Sequence, residues 1–131
     1  MSEIPKELFY TQTHEWLRKE EDGTITVGVT DHAQYMLGDL VFVDLPDEDL
    51  EFARGEECCV LESVKAAADV YIPLTGTIIE VNEDLSNTPE TVNKSPYDAG
   101  WLFRMMPSED NEWKDLLSAE QYADCVKSEA H

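Results

Sequence analysis

Apolar and polar residues alternate along much of the chain, and this pattern predicts short β-strands. The clearest run covers residues 24–29, Thr-Ile-Thr-Val-Gly-Val, and its period of two is typical of a strand with one buried face. The Asp22-Gly23 pair before this run favours a tight hairpin turn from a preceding strand. Further strands are predicted at residues 14–19, 40–45, 59–64, 68–72, 77–82 and 101–106.

Other segments lack the alternation and carry the signals of helix ends. Asp31 is placed to cap a short helix, which Gly38 would end. Residues 88–90, Thr-Pro-Glu, predict a helix start, because proline is favoured at the first helical position. Ser118 and Gln121 form a capping box for the last helix, within a helical C-terminal segment at about 113–128.

This order of elements predicts a mainly β fold. Many short strands, separated by frequent turns and followed by a helix, indicate a small flattened barrel or sandwich with short peripheral helices and a C-terminal helix. The length of 131 residues and the apolar content of 42% suffice for one core. We find no linker composition, so we expect residues 1–131 to form a single domain.

The charge balance narrows the classes of partner. Asp and Glu number 29 against 9 Lys and Arg, which gives a formal net charge of −20. Such a surface repels nucleic acid and anionic membranes and suits partners with basic patches, although the charge alone is also typical of a solubility device. Neither a signal peptide nor an apolar run of about 20 residues is visible, so we expect a cytoplasmic protein.

Lys65 is the residue most in need of explanation. It lies at the expected tip of a hairpin over about 59–72, between apolar runs, and the small residues 66–68 leave its amine accessible. A long, flexible lysine stem on a rigid turn suits amide attachment of a carboxylate cofactor. Without its neighbours, however, the same lysine reads as an ordinary exposed turn residue.

The residues around Lys65 decide between these interpretations. The sequence Glu62-Ser63-Val64-Lys65-Ala66 resembles the lipoylation site of glycine cleavage H proteins. The resemblance implies a lipoyl-type fold, lipoate attached covalently to Lys65, and lipoylating enzymes that recognise Glu62, Ser63, Val64 and Ala66. It continues, in order, at residues 10–16, 27–34, 37–39, 43–46, 69–76, 92–93, 96–97, 100–101 and 117–122.

Related carriers match the chain less well. Biotin carriers usually place methionine on both sides of their lysine, where this chain has Val64 and Ala66. Lipoyl domains of 2-oxoacid dehydrogenase complexes, which remain the alternative carrier, are shorter and usually show Asp-Lys-Ala. One departure from the H-protein pattern is clear, because residues 47–49, Asp-Glu-Asp, occupy a stretch where the family carries a glycine.

The resemblance implies a shuttle without a catalytic centre of its own. The carrier takes the aminomethyl group of glycine from a pyridoxal-phosphate glycine decarboxylase to a tetrahydrofolate-dependent aminomethyltransferase. An FAD-containing dihydrolipoamide dehydrogenase then reoxidises the lipoyl arm, which is the lysine side chain with its attached lipoate. We expect a monomer, and some members of the family are also thought to relay lipoyl or octanoyl groups to other complexes.

A lipoyl arm that carries an aminomethyl group must be protected from solvent, because this group is readily lost to water. The resemblance places a sheltering cleft near Thr13, Glu15, His32 and Asp69, in which the carboxylates would balance the cationic amine. The alternative from another class is an enzyme that uses Glu15, His32 and Asp69 for acid–base chemistry. Strand alternation turns His14 away from Glu15, so we expect no role for it. No set of ligands has the sequence spacing of a metal site.

Overall fold

The structure is a computed structural model that describes residues 3–129. Within that range lie nine strands, three α-helices and two short 3-10 segments. The strands are β1 Phe9–Tyr10, β2 Glu15–Lys19, β3 Ile25–Val29, β4 Leu40–Asp44, β5 Glu51–Phe52, β6 Glu57–Ser63, β7 Ala67–Tyr71, β8 Gly76–Val81 and β9 Phe103–Pro107. The helices are α1 Asp31–Leu37, α2 Thr91–Lys94 and α3 Ala119–Glu129, and the 3-10 segments are Glu83–Ser86 and Asp110–Asp115.

The strands form two antiparallel sheets that share one core. The larger sheet has six strands in the order β1-β2-β3-β9-β8-β5, and the smaller has three in the order β4-β6-β7. Leu17 and Ile78 of the larger sheet and Leu61 of the smaller sheet belong to the same buried cluster. The mainly β prediction is therefore confirmed, and of its two forms the structure has two facing sheets rather than a closed barrel.

Strand β3 is buried on both faces, which corrects the expectation of one exposed face. All five of its residues are buried. A second apolar cluster, which includes Trp16 and Tyr122 of α3, covers part of the outer side of the large sheet. Gly28 lies opposite Trp16, and a β-carbon there would stand 2.7 Å from the indole ring. Only glycine leaves room for this close packing.

The turn between β2 and β3 forms as predicted. The backbone amide of Glu20 donates to the carbonyl of Thr24 across 2.9 Å, which closes the loop. Gly23 has φ of 89°, a left-handed conformation that glycine adopts without a steric cost. The carboxylate of Asp22 accepts a hydrogen bond of 3.1 Å from the amide of Thr24.

The N-cap of helix α1 lies one residue earlier than expected. Thr30, not Asp31, is the N-cap, because its hydroxyl accepts from the amide of Ala33 at 3.2 Å. Asp31 instead accepts from the side-chain amide of Gln34 at 2.7 Å. Gly38 ends the helix as expected, with φ of 83°.

Helix α2 begins later than predicted, whereas helix α3 has the predicted capping box. Residues 88–90 form a turn, and α2 begins only at Thr91. The capping box of α3 is confirmed, since Ser118 Oγ accepts from the amide of Gln121 at 3.2 Å and the Gln121 side chain accepts from the amide of Ser118 at 2.9 Å.

The loop that departs from the family pattern has a left-handed residue. Asp49 has φ of 70°, and its amide donates to the carbonyl of Ile78 across 2.8 Å. Aspartate tolerates this conformation better than most side chains, so it can occupy a stretch where a glycine is usual.

The three cysteines are free thiols, and Cys58 and Cys59 belong to the apolar core or pack against it. Cys59 is buried, and Cys58 is half-buried with its Sγ 3.4 Å from the carbonyl of Val70. Burial raises the pKa of the Cys58 thiol to about 12, so this thiol is unreactive near neutral pH. No helix within residues 3–129 has the length and apolar content needed to cross a membrane.

Candidate functional site

Lys65 stands at the tip of the β6–β7 hairpin. The amide of Ser63 donates to the carbonyl of Ala66 across 2.8 Å, which closes the turn. The hydroxyl oxygen of Ser63 also accepts from the amides of Lys65 and Ala66, at 3.1 and 3.0 Å. One serine side chain therefore holds the backbone of the tip, while the lysine side chain stays exposed.

The tip is fastened to the end of α1. The amide of Val64 donates to the carbonyl of Asp39 across 3.1 Å, and Leu40 pairs with Ser63 between β4 and β6. The stem of Lys65 lies against Gly38, where a β-carbon would stand 3.2 Å from the lysine Cε. The lysine is thus mounted on a rigid base that α1, β4 and the hairpin form together.

Exposed apolar side chains lie on the elements that flank Lys65. We call them the apolar rim, and they come from the last turns of α1, from β4 and from the hairpin tip. Val64 is 69% exposed, which is unusual for a large aliphatic side chain beside a charged one. The rim consists of Tyr35, Met36, Val41, Phe42 and Val64.

A cleft of about 200 Å³ begins at the same end of α1. Its lining includes Met36 and Leu37 of α1, and Leu61 of β6. Three of the residues that the resemblance assigns to the shelter also line it: Thr13, Glu15 and Asp69. The walls are therefore largely apolar, with two carboxylates among them.

Glu15 is the buried acid of this cleft, with a relative exposure of 1%. Its Oε1 accepts hydrogen bonds from the hydroxyls of Thr11 and Thr13, and its Oε2 accepts from the amide of Tyr71 at 3.2 Å. Burial raises the pKa of Glu15, and these hydrogen bonds oppose that rise by stabilising the carboxylate. Oε2 keeps an acceptor position for a further donor.

Glu15 also borders a second, more open cavity of about 630 Å³ on the other side of the N-terminal loop. Tyr71, Arg54 and Asp115 contribute to its lining. Arg54 and Asp115 pair with each other at 2.8 Å across this opening. Lys65 lines neither cavity, but Ala68 and Asp69 of the hairpin line the smaller cleft, whereas Tyr71 at the end of β7 lines the larger one. The smaller cleft is therefore the one nearer the lysine end of the hairpin.

Comparisons with known proteins show the family of this chain. The family described as Glycine cleavage H-protein matches residues 8–129. The chain belongs to that family. A glycine cleavage system H protein from Coxiella burnetii (strain Dugway 5J108-111) is 52% identical over 130 residues, which cover 99% of this chain and 100% of the relative. One from Shewanella baltica (strain OS155 / ATCC BAA-1091) is 54% identical over 129 residues, 98% of this chain and 100% of the relative.

A solved structure shares the fold as well. The crystal structure of a glycine cleavage system H protein from Mycobacterium marinum superposes with a TM-score of 0.84 at 38% identity. The match covers 95% of this chain and 99% of the other. The resemblance carried by the motif around Lys65 is therefore confirmed at the level of the family.

His32 does not line the cleft of this H-protein family member, contrary to expectation. Its ring packs against that of His14, with centroids 5.0 Å apart, and its Nε2 lies 3.8 Å from Glu129 of α3. His14, for which we expected no role, does line the cleft. It precedes β2 with φ of 73°, so the alternation of the strand does not govern its direction.

The apolar rim is a feature of the site that sequence reasoning missed. The apolar rim escaped notice because Val41 and Phe42 are both exposed, where a regular strand would bury one of them. The register of β4 against β6 shifts between Leu40 and Phe42, and this irregularity turns both side chains outward. Nothing in the local sequence signals such a shift.

Proposed function

We propose that this chain is the lipoylated carrier of a glycine cleavage system, with lipoate joined by an amide bond to Nζ of Lys65. Its relatives are named as the H protein of that system, and the H protein is a carrier component rather than a catalyst. The observation that carries the attachment site is the exposed Lys65 at a serine-held hairpin tip, inside the sequence Glu62-Ser63-Val64-Lys65-Ala66.

The residues near Lys65 fit a lipoyl arm. Bound lipoate would supply a disulfide that opens when it takes up the aminomethyl group and becomes a dithiol when that group leaves. Leu37 and Leu61 offer apolar walls that exclude water from the cleft. Glu15 and Asp69 provide negative charge beside those walls, which suits a cationic amine. The protein contributes the tether and the shelter, and the cofactor carries the chemistry.

The apolar rim suits the docking of the partner enzymes. We propose that glycine decarboxylase, the aminomethyltransferase and dihydrolipoamide dehydrogenase approach Lys65 over the rim, as the lipoylating enzyme must also do. A small apolar surface beside the arm gives contact without large burial, so each partner can bind and leave in turn. The net charge of −20 adds long-range attraction to partners with basic surfaces.

Replacement of Lys65 by arginine tests the attachment site directly. Lys65→Arg keeps the positive charge but removes the amine that forms the amide. We expect incubation with a lipoate ligase, lipoate and ATP to add one lipoyl group to the wild-type chain and none to the variant, as measured by intact mass. Glycine decarboxylation through the reconstituted system should be lost with the modification.

The matched control is Lys94→Arg, which changes another exposed lysine, at the end of α2. This variant should be lipoylated and active like the wild type. Lipoylation of the Lys65→Arg variant, or glycine turnover that persists in it, would contradict the proposal.

A further inference from the structure

Three side chains that are distant in sequence meet where α3 ends. His14 comes from the loop before β2, His32 from α1 and Glu129 from the last turn of α3. Glu129 Oε1 lies 3.0 Å from His14 Nε2 and 3.8 Å from His32 Nε2. The potential ligand atoms of the three residues all lie within 4.8 Å of one another.

The other nitrogen of His14 has a fixed partner. Its Nδ1 lies 2.7 Å from the hydroxyl of Tyr122, which in turn lies 2.6 Å from the hydroxyl of Thr30. Both Tyr122 and Thr30 are fully buried, so this chain of hydrogen bonds is rigid. A histidine that binds a metal usually has its second nitrogen oriented by a hydrogen bond in this way.

His32 has a buried nitrogen without a partner. Its Nε2 is inaccessible to solvent and has no hydrogen-bond partner among the described residues. A buried polar atom of a folded protein ordinarily has one. This nitrogen faces the carboxylate of Glu129 at a distance too long for a hydrogen bond, so an ion bound at this place would give it the partner that it lacks.

We propose that His14, His32 and Glu129 bind one divalent transition-metal ion of the zinc class. Two imidazoles and a carboxylate suit Zn²⁺, Co²⁺ or Ni²⁺ better than Mg²⁺ or Ca²⁺, which prefer oxygen ligands. Ligands at the usual bond lengths around tetrahedral zinc stand about 3.3 Å apart. The measured separations of 3.0 and 3.8 Å from Glu129 bracket that value.

The ion would hold the C-terminal helix α3 against the rest of the domain. It would connect α3 with α1 and with the loop before β2, beside the cleft that His14 also lines. Metal binding is thereby linked to the stability of this corner of the fold, because the ligands come together only in the folded chain. Sequence spacing does not indicate this set, because its three members are distant in sequence and come together only in the folded chain.

Titration of the tag-free, metal-stripped protein with Zn²⁺ tests the site. We expect one ion per chain by isothermal calorimetry and a rise in melting temperature, and Co²⁺ should give the visible absorption bands of a low-symmetry nitrogen and oxygen site. His32→Gln and Glu129→Gln should each weaken binding by about tenfold or more. Glu120→Gln, which changes an exposed acid in the first turn of α3, should bind like the wild type.

The third histidine of the chain, His131, lies outside the described residues and provides the decisive control. His131→Ala should retain the affinity of the wild type. Binding that survives both His32→Gln and Glu129→Gln, or that disappears in His131→Ala, would overturn the proposal. Imidazole nitrogen NMR of the unmutated protein gives a test that needs no variant: Zn²⁺ should shift the resonances of His14 and His32, and an unchanged His32 would equally overturn it.

Discussion

The Cε atom of Lys65 lies 3.2 Å from the position that a β-carbon on Gly38 would occupy. Gly38 also has φ of 83° and ψ of −163°, a backbone conformation that is essentially restricted to glycine. One residue therefore ends α1 and leaves space for the lysine stem. The position of the Lys65 side chain therefore depends on the end of a helix that lies 27 positions earlier in the chain.

Gly38→Ala should affect stability and lipoylation together. The strained backbone should lower the free energy of unfolding by about 1–3 kcal/mol, as urea denaturation would measure. The added methyl group should also displace the lysine stem and slow modification in a purified ligase assay.

Gly23→Ala separates these two effects. Gly23 has a similar φ of 89°, but a β-carbon there would meet nothing within 4 Å. We expect this variant to lose comparable stability and to be lipoylated at the wild-type rate. Equal lipoylation rates in the Gly38 and Gly23 variants would show that contact with Gly38 does not matter to Lys65.

Glu62→Ala should slow lipoylation without unfolding the protein. Glu62 is exposed, pairs with Ala67 at the base of the tip, and is well placed for recognition by the lipoylating enzyme. The control is Glu57→Ala, an exposed acid at the far end of the same strand. If both variants are modified as fast as the wild type, Glu62 is not part of the recognised surface.

Salt should weaken the encounter with the partner enzymes. The net charge of −20 attracts partner surfaces of opposite charge and so speeds association. Salt screens this attraction, which at physiological ionic strength extends only about 8 Å. We expect added salt to raise the apparent KM for the lipoylated carrier in the decarboxylase reaction, while kcat at saturating carrier changes little. Free lipoamide lacks the acidic surface and serves as the control. An identical effect of salt on the KM values of carrier and lipoamide would mean that the charge serves only solubility and not association.

Glu15 should make stability depend on pH in a defined direction. Because burial raises its pKa in the fold, the unfolded chain loses this proton first as pH rises from about 4. The contribution of protonated Glu15 to the free energy of unfolding is therefore present at acid pH, and it is lost as pH rises through the raised pKa. The curve of unfolding free energy against pH should fall more steeply in this window for the wild type than for Glu15→Gln. Parallel curves would mean that burial does not perturb this carboxyl.

Local sequence was sufficient to predict the lysine hairpin and several other turns and helix ends. The hairpin, the turn at Gly23 and the capping box at Ser118 depend on residues within a few positions of one another. Such local hydrogen bonds and side-chain periods leave direct marks in the sequence. The N-cap of α1 was misplaced by one residue because Thr30 and Asp31 are both good capping residues, and only the backbone geometry selects between them.

The tertiary structure alone decided which surfaces are covered and which distant groups meet. An alternating pattern tells which side chains share a face of β3, but only the tertiary structure shows that Trp16 covers Gly28 on the second face, within an apolar cluster that the return of α3 completes. The same return brings Glu129 to His14 and His32. Its physical basis is the burial of Tyr122 against the first strands, a contact between chain ends for which no local sequence signal exists.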